Sequence, residues 1–424
     1  LKMKLTLNRK ITIGIAVGLI LGLLLAFDVV PSTIAGVNVV DIFRFVGKIF
    51  MRMLKVIVVP LVFFSIFVGV TSVGDATRLG KLGLRTIVYY MCTTLIAVII
   101  GLILVNIIGP GVGFAPGEAA PSAPLEAMKG MSVIGLLEQQ VLSFIKNPFE
   151  ALASGTSSLI AIILASIAFA VAIIAIRNPK KTVVVNFMGT LNDAVFWVTK
   201  QILRLAPYGV CGILVAVLFD KREQLVDLVK GLTLFAVTSY LGLLIHGLIV
   251  LPIILKIFSR RSVREFFGGI SEALEVAFAT DSSVATIPVT LTNLQDNLKV
   301  SKRTSDFVIP IGATINMDGT ALYEAVCALF IAQALNIDLT LFQQVIIFFT
   351  ATVASIGAAG IPSAGLVTLV IVINAVGLPY EQSAPLIGII FAIDRFIDVI
   401  RTMVNVEGDC VGCVIIDEMS EKNP

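Results

Sequence analysis

Charge is scarce in this 424-residue chain: Asp, Glu, Lys and Arg make up 14% of it against 57% hydrophobic residues, a balance that excludes a soluble globular protein. Histidine occurs once, as His246 inside an apolar run, and reads as a buried packing residue rather than a proton relay. Cysteine is limited to Cys92, Cys211, Cys327, Cys410 and Cys413, scattered through apolar sequence and not arranged as a disulfide framework. The Cys410/Cys413 pair lacks the further ligands of a zinc site and reads as small residues packed in a membrane helix. No nucleophile and base pair appears, which argues against an enzyme. The net charge is only +3, and no basic patch carries interleaved aromatics, which argues against a nucleic-acid partner.

What the chain has in quantity is apolar length. Residues 11–27, 56–74, 86–117, 151–176, 205–219, 231–255 and 339–380 are free of charge. Several exceed the roughly 20 residues that a spanning helix needs, so an all-α polytopic protein of the lipid bilayer is expected. Basic groups lie before the first run (Lys2, Lys4, Arg9, Lys10), after the second (Arg78, Lys81, Arg85) and after the sixth (Lys256, Arg260, Arg261, Arg264). The positive-inside rule makes these ends cytoplasmic, with a cytoplasmic N-terminus in a plasma-membrane protein. The 11–27 run has no small-residue cleavage site and is expected to be a retained helix.

The second half departs from ordinary membrane helices. FATDSSVATIPVT (278–290) and SIGAAGIPSAG (355–365) place Ser, Thr, Gly and Pro in the middle of apolar stretches. The 339–380 run is 42 residues without a charge, too long for one helix, and its Gly/Pro centre supplies a turn. Each cluster therefore reads as the tip of a re-entrant hairpin. Intramembrane polar groups follow both: Asn316, Asp318 and Glu324 after the first, and the 394–409 segment after the second. A hairpin followed by a polar-interrupted helix, twice over, is the pattern of a transporter whose repeats meet at a midplane site.

On an α-helix Asp394, Asp398, Arg401, Asn405 and Asp409 form one polar stripe about 80° wide. Ionisable groups at the bilayer centre cost roughly 2.5 to 3.5 kcal/mol each, so the stripe needs a compensating environment, which ions and a charged solute can supply. Arg401 can bind a carboxylate through two parallel hydrogen bonds, or bridge internally to Asp398 or Asp394. With Asp398 on an amino group and Arg401 on a side-chain carboxylate, the solute is an acidic amino acid. In NMDGT (316–320), Asn316 and Asp318 point about 200° apart on a regular helix. Unwinding at Gly319 and its neighbours is expected to bring them together with backbone carbonyls as hard ligands for Na⁺. Glu324 has no basic neighbour in the local sequence and is the candidate proton carrier. Glu407, opposite the stripe, reads as a packing or interface residue.

These motifs in this order, NMDGTALYEAV, SIGAAGIP with its SAG, and D-x-x-x-D-x-x-R-T-x-V-N-V-x-G-D, together with PLVFFSIFVG at 60 and YYMCTT at 89, resemble the glutamate transporter family of dicarboxylate/amino acid:cation symporters over essentially the whole chain. The resemblance implies a homotrimer of eight transmembrane helices and two re-entrant hairpins, built from inverted repeats and working as an elevator. Scaffold helices 1 and 2 would occupy 10–80, helix 3 of the transport domain 81–110, scaffold helices 4 and 5 130–222, and the rest of the transport domain 223–420. Substrate groups implied by position are Ser283 and the backbone of Asp281, Met317 and Thr320, Ile361 and Gly365, and Asp398, Arg401, Thr402 and Asn405. Implied sodium ligands are Gly312, Asn316, Asn405 and Asp409 at one site, the backbone of Thr314, Ser355, Ile356 and Ala358 at another, and Tyr90, Thr93, Thr94, Asn316 and Asp318 at a third. Glu324 matches the family's proton-carrying position.

Two departures stand out. The first tip reads TDSSVAT where relatives have a serine-rich core, so Val284 removes a hydroxyl and Asp281 adds a charge that can weaken a dianionic substrate or pair with Arg395. NVEGD with Glu407 resembles the neutral-amino-acid branch, whose members lack an arginine at the Arg401 position. Na⁺-coupled transport of neutral amino acids or C4-dicarboxylates is thus the alternative within the family, although a dicarboxylate needs no partner at Asp398. An anion channel, the reading from another class, would want a continuous polar pore.

Overall fold

The computed structural model describes residues 7–34, 36–77, 81–114, 146–154, 159–357 and 364–421. After α1 (Leu7–Ala26), a two-residue antiparallel pair, β1 (Thr33–Ile34) and β2 (Val37–Asn38), leads into α2 (Val39–Thr77) and α3 (Lys81–Ile108). The turn between the strands needs Gly36, whose φ of +79° is closed to most side chains. A short α4 (Pro148–Ala153) precedes α5 (Leu159–Ala175). The charged 177–181 break then separates α5 from α6 (Lys181–Leu203), as its composition predicts. Pro207, with no N–H to donate, sits in the first turn of α7 (Ala206–Asp220), which bends 50° from α6. α8 (Leu225–Ile245) runs through a π-helical turn, His246–Val250, into α9 (Leu251–Phe258).

Five helical stretches among the described residues are long and apolar enough to cross a bilayer, and six if the bent α6–α7 pair is one span. The chain is thus an all-α membrane protein. α1 packs along α7 through glycines at helical spacing. A Cβ on Gly18 would lie 2.9 Å from the Cα of Cys211, and one on Gly22 would lie 2.7 Å from Cδ1 of Leu218. Such close approach holds membrane helices together by dispersion, because lipid offers no hydrophobic gain. Gly18→Leu should therefore lower the melting temperature of the detergent-solubilised protein, by overpacking that costs about 1–3 kcal/mol. Ile20→Leu on the exposed face should leave it unchanged, and equal melting of both variants would refute the packing.

The first hairpin is α10 (Val263–Thr280) against α11 (Ser283–Thr292). Ser262 accepts a hydrogen bond from Glu265 N–H at 3.2 Å and Ser282 one from Ala285 N–H at 3.2 Å, so serines cap both arms. The tip is Asp281, left-handed at φ +51°, which ends α10 with its N–H on the Ala277 carbonyl. α12 (Lys302–Ile315) and α13 (Asp318–Ala334) form the broken helix. α14 (Leu341–Gly357) and α15 (Ala364–Ala375) pack as the second hairpin, whose tip lies outside the described residues. α16 (Tyr380–Glu421) carries the polar stripe and touches α10, α12, α13 and α3.

Candidate functional site

The break in the α12–α13 helix falls at Asn316 (φ −86°, ψ 86°) and Met317 (φ −115°, ψ 50°), not at Gly319 as the glycine suggests. Gly319 is helical and serves close approach instead. A Cβ there would lie 2.7 Å from the Arg401 carbonyl oxygen, and its N–H, one of the free donors of the α13 N-terminus, donates to Asn405 Oδ1 at 2.8 Å. Asn405 Nδ2 in turn donates to Thr320 Oγ1 at 3.3 Å and contacts Met317 Sδ at 3.4 Å. The break thus joins α13 to α16 through Met317, Thr320 and Asn405.

Arg401 is buried at the centre of this junction. It pairs with Asp398 and, at 3.5 Å, with Asp394, and its guanidinium lies 4.6 Å from the Tyr323 ring centroid. From the second hairpin, Gly365 comes so near that a Cβ there would lie 2.8 Å from Arg401 Nη1. The internal bridge foreseen for Arg401 therefore exists, and Asp394 supports it. Tyr323 was not singled out by its sequence, because one aromatic in an apolar helix carries no pattern. At the first tip, the Asp281 carboxylate is buried and pairs with Arg395. It also accepts from Thr402 Oγ1 at 2.9 Å. Pairing with Arg395 was one of the two expectations for this residue. Since the Asp281 N–H is used in the helix cap, only its carbonyl remains for a backbone contact. Ser283 is buried at the start of α11, and Ile361 lies outside the described residues.

A second polar cluster lies where α3, α12, α13 and α16 converge. Thr94 Oγ1 donates to Asp318 Oδ1 at 2.6 Å, and Thr93 Oγ1 lies 3.3 Å from the same oxygen and 3.4 Å from Asn316 Oδ1. Asn316 Nδ2 donates to Asp409 Oδ1 at 2.9 Å. Gly312 faces both the Asp409 carboxylate and the Tyr90 hydroxyl, leaving no room for a Cβ. Tyr90 Oη itself donates to the Val308 carbonyl at 3.0 Å. The oxygen set here is mixed amide, hydroxyl and carboxylate, of the kind that suits a hard cation. Of the set foreseen around Thr314, three members lie among the described residues. Thr314 is exposed and donates to Ile311 at 3.0 Å, Ser355 donates to Thr352 at 2.9 Å within its own helix beside Ile356, and Ala358 lies outside the described residues.

Two readings of single residues change. His246 is buried, but Nε2 lies 3.0 Å from Asp318 Oδ2, so it is a polar partner of the cluster and not a packing residue. An ionisable group alone in a long charge-free run was the available signal. Glu407 is buried, with Oε2 close to Gly247 of the π turn, which keeps its packing role and removes the interface one. Cys410 and Cys413 are buried free thiols, as packing residues should be. Glu324 is fully buried on α13; Thr368 Oγ1 bonds Oε1, and Oε2 has no partner among the described residues.

Comparison with known proteins places this architecture. The family described as the sodium:dicarboxylate symporter family matches residues 7–419. Excitatory amino acid transporter 3 of Homo sapiens is 37% identical over 425 residues, spanning 90% of this chain and 80% of its own. Excitatory amino acid transporter 4 of Mus musculus is 35% identical over 468 residues (95% and 82%), and excitatory amino acid transporter 1 of Ambystoma tigrinum is 37% identical over 427 residues (89% and 77%).

Proposed function

The chain belongs to the sodium:dicarboxylate symporter family, a family of transporters and not of enzymes, and from that premise we propose that it carries acidic amino acids, aspartate or glutamate, into the cell with Na⁺. The observation that carries the reading is the convergence on Arg401: a buried cation between Asp398 and Asp394, with a broken helix, a hairpin tip and the second hairpin around it. A substrate side-chain carboxylate takes the Arg401 fork, and its amino group takes Asp398. The α-carboxylate meets the hairpin backbone and the N-terminus of a half-helix, whose free N–H groups favour an anion. Asn316, Asp318 and Asp409 serve as sodium ligands with Thr93 and Thr94. Sodium in that cluster neutralises carboxylates close to the break, so ion and substrate binding reinforce each other.

The wider assembly follows as part of the same proposal: a plasma-membrane homotrimer of eight spanning helices and two hairpins with a cytoplasmic N-terminus. Residues 10–80 and 130–222 form a fixed scaffold and 81–110 with 223–420 a moving transport domain. The packing of α1 and α2 on α7, of α3 on α13, and of α3, α10 and α12 on α16, supports this division. Uptake into proteoliposomes under imposed Na⁺, H⁺ and K⁺ gradients tests the function. Labelled aspartate and glutamate should accumulate with inward Na⁺, while serine and malate should not; accumulation of either of the latter in preference would overturn the substrate class.

Glu324 is the proposed proton carrier. With Thr368 on one oxygen and no donor on the other among the described residues, its surroundings suit a neutral acid better than a carboxylate, which accepts at both oxygens. Glu324→Gln should abolish the pH dependence of net uptake while preserving exchange of internal for external aspartate. Uptake by the variant that still varies with pH would reject the assignment.

A further inference from the structure

We propose that His246 is a positioning residue for sodium: its ring fixes the Asp318 carboxylate so that one oxygen is turned to the cation. The inference rests on the reading of Asp318 as a sodium ligand. The two oxygens of Asp318 face different partners. Oδ1 accepts from Thr94 at 2.6 Å and lies 3.3 Å from Thr93, on the side shared with Asn316, whereas Oδ2 lies 3.0 Å from His246 Nε2. Both His246 and Asp318 are fully buried, so bulk solvent does not reach the contact between them. A carboxylate only accepts hydrogen bonds, which assigns the proton to Nε2. Nδ1 has no partner among the described residues, so the ring's hydrogen bonding there is directed to Asp318 alone.

The backbone explains how the ring is held. His246 opens the π-helical turn His246–Val250, the inserted kind of turn that recurs at functional sites because it shifts the register of side chains in an otherwise regular helix. Gly247 follows, where a Cβ would lie 3.1 Å from Glu407 Oε2 and 3.3 Å from Val404 Cγ2, so α16 lies against the turn itself. The α8–α9 helix is thereby seated on α16 while its histidine reaches Asp318 at the first position of α13. Without the ring, Oδ2 loses its one hydrogen-bond partner among the described residues, and the carboxylate is held from the Oδ1 side alone, by Thr94 and Thr93.

The test is a sodium titration of aspartate binding to the purified full-length protein, comparing wild type with His246→Leu, His246→Gln, His246→Asn and Asp318→Asn. His246→Leu should raise the half-saturating Na⁺ concentration about ten-fold or more, the scale of one hydrogen bond to a charged group, with maximal binding restored at high Na⁺. His246→Gln, whose amide nitrogen reaches the place of Nε2, should stay within about three-fold of wild type. His246→Asn, which is too short, should behave as Leu. A Leu variant that titrates like wild type, or a Gln variant as impaired as Asn, overturns the proposal; should the Leu variant not fold, the Gln and Asn pair decides alone. An Asp318→Asn protein with an unaltered titration instead overturns the sodium reading on which the proposal stands.

Discussion

Arg401→Cys should abolish measurable aspartate binding, a loss of about a hundred-fold or more, because two charge-assisted hydrogen bonds to the substrate disappear together. The same substitution has a second consequence that must be separated from the first. Arg401 lies between Asp398 and Asp394, all three buried, so removing the guanidinium leaves like charges facing each other. Breaking a buried pair from one side costs about 3–5 kcal/mol, and a destabilised protein would also bind less. The double variant Arg401→Cys with Asp394→Asn distinguishes the two. It should melt nearer to wild type than the single variant does and still fail to bind aspartate, while serine binding becomes detectable because Asp398 is retained for the amino group. Unchanged aspartate affinity in either variant would remove Arg401 from substrate recognition.

The parts of this site that could be read from the chain are those in which charge contradicts its surroundings. Asp394, Asp398, Arg401, Asn405 and Asp409 announce one another because helical spacing puts them on a common face in apolar sequence, and the hairpin tips are marked by Ser, Gly and Pro. The cap of α10 is equally local, since Ser262 accepts from the N–H of Glu265 three residues on. What escaped was set by partners far away in sequence. Gly319 suggests an unwound position until α16 is present, and then the missing Cβ proves to admit the Arg401 backbone while Asn316 and Met317 take the break. His246 and Asp318 are 72 positions apart, and Tyr323 meets Arg401 only through the packing of α13 on α16. Thr368 shows the same limit, since its bond to Glu324 requires the second hairpin to lie against α13.

Asp409→Asn should separate two properties that are joined in the native protein, stability without sodium and stabilisation by sodium. Asp409 is buried beside Tyr90 and Gly312 and accepts one hydrogen bond from Asn316, whose carbonyl oxygen faces Thr93 and the Asp318 side of the cluster. Two carboxylates of like charge thus share one buried neighbourhood, which costs free energy in the absence of a cation and favours the protein that binds one. Asparagine keeps the shape and one carbonyl oxygen but removes the charge. In sodium-free buffer the variant should melt higher than wild type, because a buried like charge is gone. As Na⁺ is added the wild type should gain about 2.7 kcal/mol for each site filled at a hundred times its dissociation constant, and the variant should gain much less. The two melting curves plotted against Na⁺ concentration therefore cross. The half-saturating Na⁺ for aspartate binding should rise by at least about ten-fold in the same variant, since a cation loses a full charge among its ligands. Curves that run parallel, with the variant stabilised by Na⁺ as much as wild type, would show that Asp409 holds the helices together and not the ion.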